Sequence, residues 1–173
     1  MSTGYANALG ASRILLKVMR VLNLATGLAF LACLVASFLF EPAFVAFFSK
    51  QPPRIDPGLL MPILRVWVVL TAPLIAVVHI SLSRLLEMVD TVREGDPFVP
   101  ENAARMKTIA WCVLATQIYH LFFGLMVALV NAAGSRMEWS FSPTGWLAVV
   151  LLFVLALVFE QGTRIRADLE AMI

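Results

Sequence analysis

The chain has 173 residues, of which 61% are hydrophobic and 14% charged, and its formal net charge is +2. A soluble domain of this size is nearer half apolar and a quarter charged, and its small interior could not hold so many apolar side chains. The composition therefore excludes an ordinary soluble domain, and the small net charge argues against direct nucleic-acid binding. We expect an all-α polytopic membrane protein in which residues 1–173 form one compact bundle.

Four apolar runs are long enough to cross a bilayer, which takes about 20 residues in a helix. They lie near residues 21–40, 59–82, 109–130 and 141–159. The first run continues for seven residues beyond Cys33, whereas the apolar part of a signal peptide ends at its cleavage site. We therefore expect it to be an uncleaved anchor, followed by a short outer loop over residues 41–58.

The Lys and Arg residues indicate the orientation, because short cytoplasmic loops are enriched in them. Nine of the 13 fall on one side of the predicted spans and four on the other. The nine are Arg13, Lys17, Arg20, Arg84, Arg93, Arg105, Lys107, Arg164 and Arg166. This asymmetry predicts that both termini and the central loop, residues 83–108, lie in the cytoplasm.

The second span is expected to continue as an amphipathic helix into the cytoplasm. Apolar residues recur at helical spacing with charged residues between them, from Leu82 to Val92. Gly95 supplies a helix stop, Pro97 forbids continuation, and Pro100 suits the first turn of a new helix. We expect the apolar stripes of these cytoplasmic extensions to pack on each other.

The C-terminal tail shows the same amphipathic pattern. Its apolar residues Ile165, Leu169 and Met172 share one helical face, and charged residues occupy the others. This stripe is expected to join the packed cytoplasmic end of the bundle.

Uncharged polar residues recur along one face of the first and third spans. Such faces usually point into a membrane bundle and hydrogen-bond between helices. The residues expected to pack in this way are Asn23, Thr26, His79, Gln117 and His120. A polar track or a ligand pocket is the functional alternative. Arg65 lies near the outer boundary and is expected to reach outward, towards Glu41 or Asp56.

The sequence offers little support for metal binding or catalysis. Two histidines without a neighbouring carboxylate or paired cysteines are a poor ligand set. Cys33 and Cys112 both lie inside apolar runs, where a thiol is usually a packing residue. Catalytic motifs such as G-x-S-x-G, H-E-x-x-H and a phosphate-binding glycine loop do not occur. We expect no enzymatic activity, no metal and no cofactor.

The central loop carries a motif of the form G-x-P-F-x-x-x-N, formed by Gly95, Pro97, Phe98 and Asn102. This loop and the tail at residues 160–169 resemble a bacterial family of small four-helix membrane proteins, the domain-of-unknown-function 2975 family. The resemblance covers residues 12–173. It implies a multi-pass protein of the bacterial inner membrane. Members are often encoded beside a small helix-turn-helix regulator, so the resemblance also implies a membrane-held regulatory pair.

Our leading hypothesis is therefore a non-catalytic membrane protein that regulates or anchors a small cytoplasmic DNA-binding partner. The residues expected to bind this partner lie on and beside the central loop. They are Arg84, Asp90, Arg93, Glu94, Gly95, Asp96, Pro97, Phe98, Glu101, Asn102 and Arg105. One alternative is an accessory subunit of a larger membrane complex, docking through Phe44, Phe47 and Phe48. A small transporter or channel is the other, and it would need a polar track continuous across the bilayer.

Overall fold

The computed structural model describes residues 3–48, 57–132 and 138–172. This part of the chain forms α-helices without β-strands. The helices are α1 (Thr3–Leu39), α2 (Glu41–Phe48), α3 (Pro57–Arg93), α4 (Pro100–Ala132) and α5 (Pro143–Glu170). Four of them, α1, α3, α4 and α5, are long and apolar enough to cross a membrane. The predictions of an all-α fold and of four helices long and apolar enough to span a membrane are confirmed.

Each long helix extends beyond the span predicted from hydropathy. The basic N-terminal segment belongs to α1, and α3 runs without a break to Arg93. It continues through Pro62 and Pro73, as helices in a membrane can when neighbouring groups satisfy the freed backbone. The tail after the fourth span is the continuation of α5.

Helix α2 is a correction to the predicted outer loop over residues 41–58. It begins with Glu41 and Pro42, an acidic residue and a proline that both favour the first turn of a helix. Of its three phenylalanines, Phe47 packs edge-on against Phe48 with the ring centroids 5.2 Å apart. The side chain of Phe47 is nevertheless mostly exposed.

The four long helices form an open row in the order α1, α3, α4, α5, in place of the compact bundle that we expected. Each packs antiparallel on its neighbour in the row. Within the described residues, the backbone of α1 does not come within 8 Å of α4 or α5. Lipid tails are as apolar as the side chains, so no hydrophobic force closes the row into a ring.

Two polar contacts fix α1 against α3. In the middle of the helices, the side-chain amide of Asn23 donates to the backbone carbonyl of Ile75 at 3.1 Å. Towards the α2 end, Arg65 donates to the carbonyl of Ser37 at 2.8 Å and pairs with Glu41 at 2.7 Å. The predicted pairing of Arg65 with Glu41 is confirmed, whereas Asp56 lies outside the described residues.

The antiparallel packing brings the start of α1, the segment 94–99 and the end of α5 to one end of the row, which we call the loop end. A small apolar core lies near this end, formed by Met88, Met106, Ile109 and Ala156. Most other large apolar side chains on the long helices are exposed, as lipid-facing residues are. The expected packing of the tail stripe is wrong, because Ile165, Leu169 and Met172 are all more than half exposed.

Candidate functional site

The end of α3 is closed by a glycine in the left-handed region, as the sequence predicts. Gly95 has a φ of +92°, the one positive φ among the described residues. Its N–H donates to the carbonyl of Val92, and the N–H of Asp96 donates to the carbonyl of Thr91. These two bonds are the Schellman pattern, which satisfies carbonyls that the last turn of a helix leaves free.

Asn102 ties the segment 94–99 to both flanking helices. Its side chain is fully buried and its amide donates to the Thr91 hydroxyl at 2.7 Å and to the Pro97 carbonyl at 3.0 Å. Its side-chain oxygen accepts from Arg105 at 2.9 Å. Asn102 was among the residues expected to bind a partner. Because it is buried, it holds the loop in place and cannot itself contact a partner.

Glu87 joins α3 to α4 through Arg105, and Arg84 of its own helix binds the same carboxylate. Its carboxylate accepts from Arg84, one turn earlier on α3, and from Arg105 of α4, each at 2.9 Å. Burial raises the pKa of Glu87, but the hydrogen bonds and positive charges of the two arginines together outweigh it. The pKa of Glu87 is therefore below its usual value, and the group is ionised at neutral pH.

Two further ion pairs connect the outer helices of the row to the loop end. Arg13 of α1 lies 2.7 Å from Asp90 of α3 through its Nε, although that N–H is not directed at the carboxylate. A weaker bond of 3.3 Å runs from its Nη2 to the same carboxylate. Arg166 of α5 pairs with Asp96. Ion pairs thus link α1 to α3, α3 to α4, and the segment 94–99 to α5.

Phe98 packs onto α5 and stays partly open to solvent. Its ring centroid lies 5.8 Å from that of Phe159. A Cβ at position 162 would lie only 3.0 Å from the Phe98 ring, so Gly162 is what lets the ring come so close to the helix. The side chain remains 45% exposed. It covers the junction with α5 but does not fill a closed core.

The predicted partner-binding residues therefore fall into two groups. Arg84, Asp90, Asp96 and Arg105 are held in ion pairs within the chain. Arg93, Glu94 and Glu101 are exposed and make no ion pair within the part of the chain that the structure describes. Gly95 is exposed, and Pro97 is half-buried.

The polar residues predicted to pack within the membrane behave unequally. Asn23 bridges two helices, as described above, and the Gln117 side chain fills the space beside Gly145. The His120 ring lies 5.4 Å from that of Trp139. Nδ1 of His79 is buried without a hydrogen-bond partner. The expectation for Thr26 is wrong, because its exposed hydroxyl bonds to the carbonyl of Leu22 in its own helix.

The described residues contain no group of three or more His, Cys, Asp or Glu side chains placed to share a metal ion. Charge pairs between side chains organise the loop end. Arginine–carboxylate pairs hold the backbone, and apolar and charged side chains face outward.

The sequence did not reveal the long-range pairs that organise this end. Arg13 and Asp90 are 77 residues apart, and Asp96 and Arg166 are 70 apart. Arg13 and Arg166 had been used only to predict the orientation, and Asp90 and Asp96 were expected to bind a partner. The exposed stripe on α5 was visible as a pattern, but its lack of a packing partner was not.

Comparison with known protein families gives a match over nearly the whole chain. Residues 17–173 match a family described as a protein of unknown function, DUF2975. No curated protein and no solved structure matches the chain.

Proposed function

The chain belongs to the DUF2975 family, and we propose that it is a non-catalytic membrane protein that holds a small DNA-binding protein of the helix-turn-helix class at its loop end. In this proposal the protein lies in the inner membrane of a bacterium. Both termini and the segment 94–99 face the cytoplasm, in keeping with the Lys and Arg asymmetry of the sequence.

The observation that carries the proposal is the exposed apolar stripe at the end of α5, formed by Ile165 and Leu169 in the helix and by Met172 in the turn that follows it. Ile165, Leu169 and Met172 are 58%, 55% and 74% exposed. They lie six to 13 residues beyond the predicted end of the span at residue 159, which is about 9–20 Å along a helix. At that distance lipid tails do not cover them. An amphipathic helix with i, i+4, i+7 anchors is a common surface for protein recognition.

The neighbouring loop supports the same interpretation. Phe98 rests on Gly162, one turn before Ile165, and adds an exposed aromatic ring next to the stripe. Arg93, Glu94 and Glu101 supply charges that are not used within the described chain. The segment that carries Phe98 is already ordered by Asn102, so little conformational entropy is lost when a partner binds.

The test is co-purification from native membranes with identification of the retained proteins by mass spectrometry. We expect a small protein with a helix-turn-helix domain to be retained by the natural chain and lost from the double variant Ile165→Glu/Leu169→Glu. Both side chains are exposed, so the variant should insert and melt as the natural chain does.

The matched control is Lys17→Glu, which makes the net charge more negative by the same amount at an exposed position on α1, away from the stripe. This variant should retain the partner. Equal retention by both variants would refute the assignment of the stripe. Failure to recover any DNA-binding protein would refute the regulatory function as a whole.

One observation favours the second candidate, an accessory subunit of a larger membrane complex. Helix α2 presents Phe47, 62% exposed, at the end of the row opposite to the loop end. If native membranes yield a larger assembly that is released by Phe47→Ser but not by changes in the α5 stripe, the accessory-subunit function is supported instead.

A further inference from the structure

A groove crosses the loop end of the row between the first turns of α4 and the last turns of α5, on a different face of α5 from the apolar stripe. It encloses about 530 Å³. Small side chains on both walls leave the groove open, namely Ala103 and Ala104 on α4 and Ala167 on α5. From Phe153 to Ala167 the groove follows 14 residues of helix, about 21 Å.

The two halves of the groove differ in polarity. The half nearer the membrane centre is lined by Phe153, Ala156 and Leu157, which all belong to the apolar segment of α5. The other half is lined by Lys107, Glu160 and Arg164. The polarity changes close to residue 159, where the predicted span ends. With the span ending there, the groove would run from the hydrocarbon region to the headgroup region of a bilayer.

The charged half carries unused positive charge. Lys107 is exposed and makes no ion pair with any residue that the structure describes. Arg164 bonds to Glu160 at 2.7 Å, but its side chain is 70% exposed. A guanidinium has five N–H donors, so one pairing leaves Arg164 able to bind an anion as well. The net charge of this half is +1, because Glu160 cancels one of the two cations.

We propose that this groove binds an anionic phospholipid. An acyl chain would lie against Phe153 and Leu157, and the phosphate would meet Lys107 and Arg164. An occupant must combine an apolar chain with an anionic group at the boundary, and basic pockets between spanning helices take anionic headgroups in this way. Acyl chains already surround the apolar half, so a lipid reaches the groove without leaving the bilayer.

Native mass spectrometry of the purified full chain tests the proposal with phosphatidylglycerol and phosphatidylcholine of identical acyl chains. We expect phosphatidylglycerol to bind more tightly. Lys107→Gln/Arg164→Gln should weaken its binding about tenfold or more and leave phosphatidylcholine binding nearly unchanged. The control Lys17→Gln/Arg93→Gln removes the same charge from exposed positions outside the groove and should bind as the natural chain does.

A second variant narrows the groove without changing its charge. Ala104 is exposed and lines the groove, so Ala104→Phe should occupy it and weaken the binding of both lipids. Equal affinity for the two lipids would overturn the proposal. So would displacement of phosphatidylglycerol by glycerol phosphate alone, since the site would then recognise a free phosphate. Burial of the groove between two copies of the chain, detected by cross-linking at Ala104→Cys, would also overturn it.

Discussion

Replacement of Asn102 by alanine should loosen the loop end more than any other single change near it. The side chain is fully buried, and its amide is the group that joins the end of α3 to the segment 94–99. In Asn102→Ala, the carbonyl of Pro97 and the hydroxyl of Thr91 lose this donor. Arg105 loses one acceptor but keeps its bond to Glu87.

The expected cost follows from these three bonds. The two neutral hydrogen bonds contribute about 1 kcal/mol each, and a bond to a charged group contributes about 1.5–3 kcal/mol. Because Arg105 keeps Glu87 as an acceptor, losing its bond to Asn102 should cost no more than losing a neutral bond, about 1 kcal/mol. The total is about 3 kcal/mol, and an equilibrium changes tenfold for every ~1.4 kcal/mol. Local opening of the segment should therefore become about 100-fold more frequent.

Amide hydrogen exchange measures this opening directly, because the N–H groups of Gly95 and Asp96 are protected by their bonds to α3. We expect both to exchange about 100-fold faster in Asn102→Ala, whereas amides in the middle of α5 keep their rates. Arg93→Ala is the control, because Arg93 is exposed and unpaired within the described chain. Acceleration of less than about threefold in Asn102→Ala would refute the role given to this side chain.

Three further predictions concern the backbone, acid stability and packing. Gly95→Ala should lower the free energy of unfolding by about 1 kcal/mol, because φ is +92° there. The control is Gly10→Ala in α1, where an added Cβ would also meet open space, and it should be neutral or stabilising. Equal melting temperatures for the Gly95→Ala and Gly10→Ala variants would contradict the role given to Gly95. The pKa of Glu87 is lower in the folded protein than its ordinary value of 4.5. The ionised carboxylate therefore stabilises the fold fully above about pH 4.5, and this contribution is lost as the pH falls through the folded-state pKa. Glu87→Gln should therefore melt with a weaker pH dependence below about pH 4.5, and an unchanged acid profile would contradict the assignment. Gly124→Ala would place a Cβ 2.3 Å from the Trp139 ring, so the indole must move, at a cost of about 1–3 kcal/mol. Fluorotryptophan NMR should show a shifted Trp139 signal, and an unchanged spectrum would contradict the packing.

Local signals predicted the parts of the structure that short stretches of sequence determine. The continuation of α3 to Arg93 followed from apolar residues at helical spacing, and its end followed from Gly95 and Pro97. These residues act through their own backbone geometry, which does not depend on distant helices. The start of α2 had such a signal too, in Glu41 and Pro42, but the phenylalanines after it were interpreted as part of a loop.

The arrangement of the helices could not be predicted in the same way. Periodicity identifies an apolar face but does not say whether lipid or another helix covers it. The stripe of Ile165, Leu169 and Met172 was therefore assigned to packing although the structure leaves it exposed. The pairing of Arg13 with Asp90 depends on the register of α1 against α3, which is set by the contact of Asn23 with Ile75. No residue near Arg13 in the sequence indicates that register.

The open row has a consequence for how the protein is made. Among the long helices, α1 packs on α3, α3 on α4, and α4 on α5, so each contacts only the long helices next to it in the chain. During synthesis, each newly inserted helix thus finds its packing partner already in the membrane. Contacts between helices that follow each other along the chain also form quickly, because only short loops need to close. In a closed ring, α1 would lack one of its packing partners until α5 had been inserted. This row can be completed helix by helix as the chain is translated.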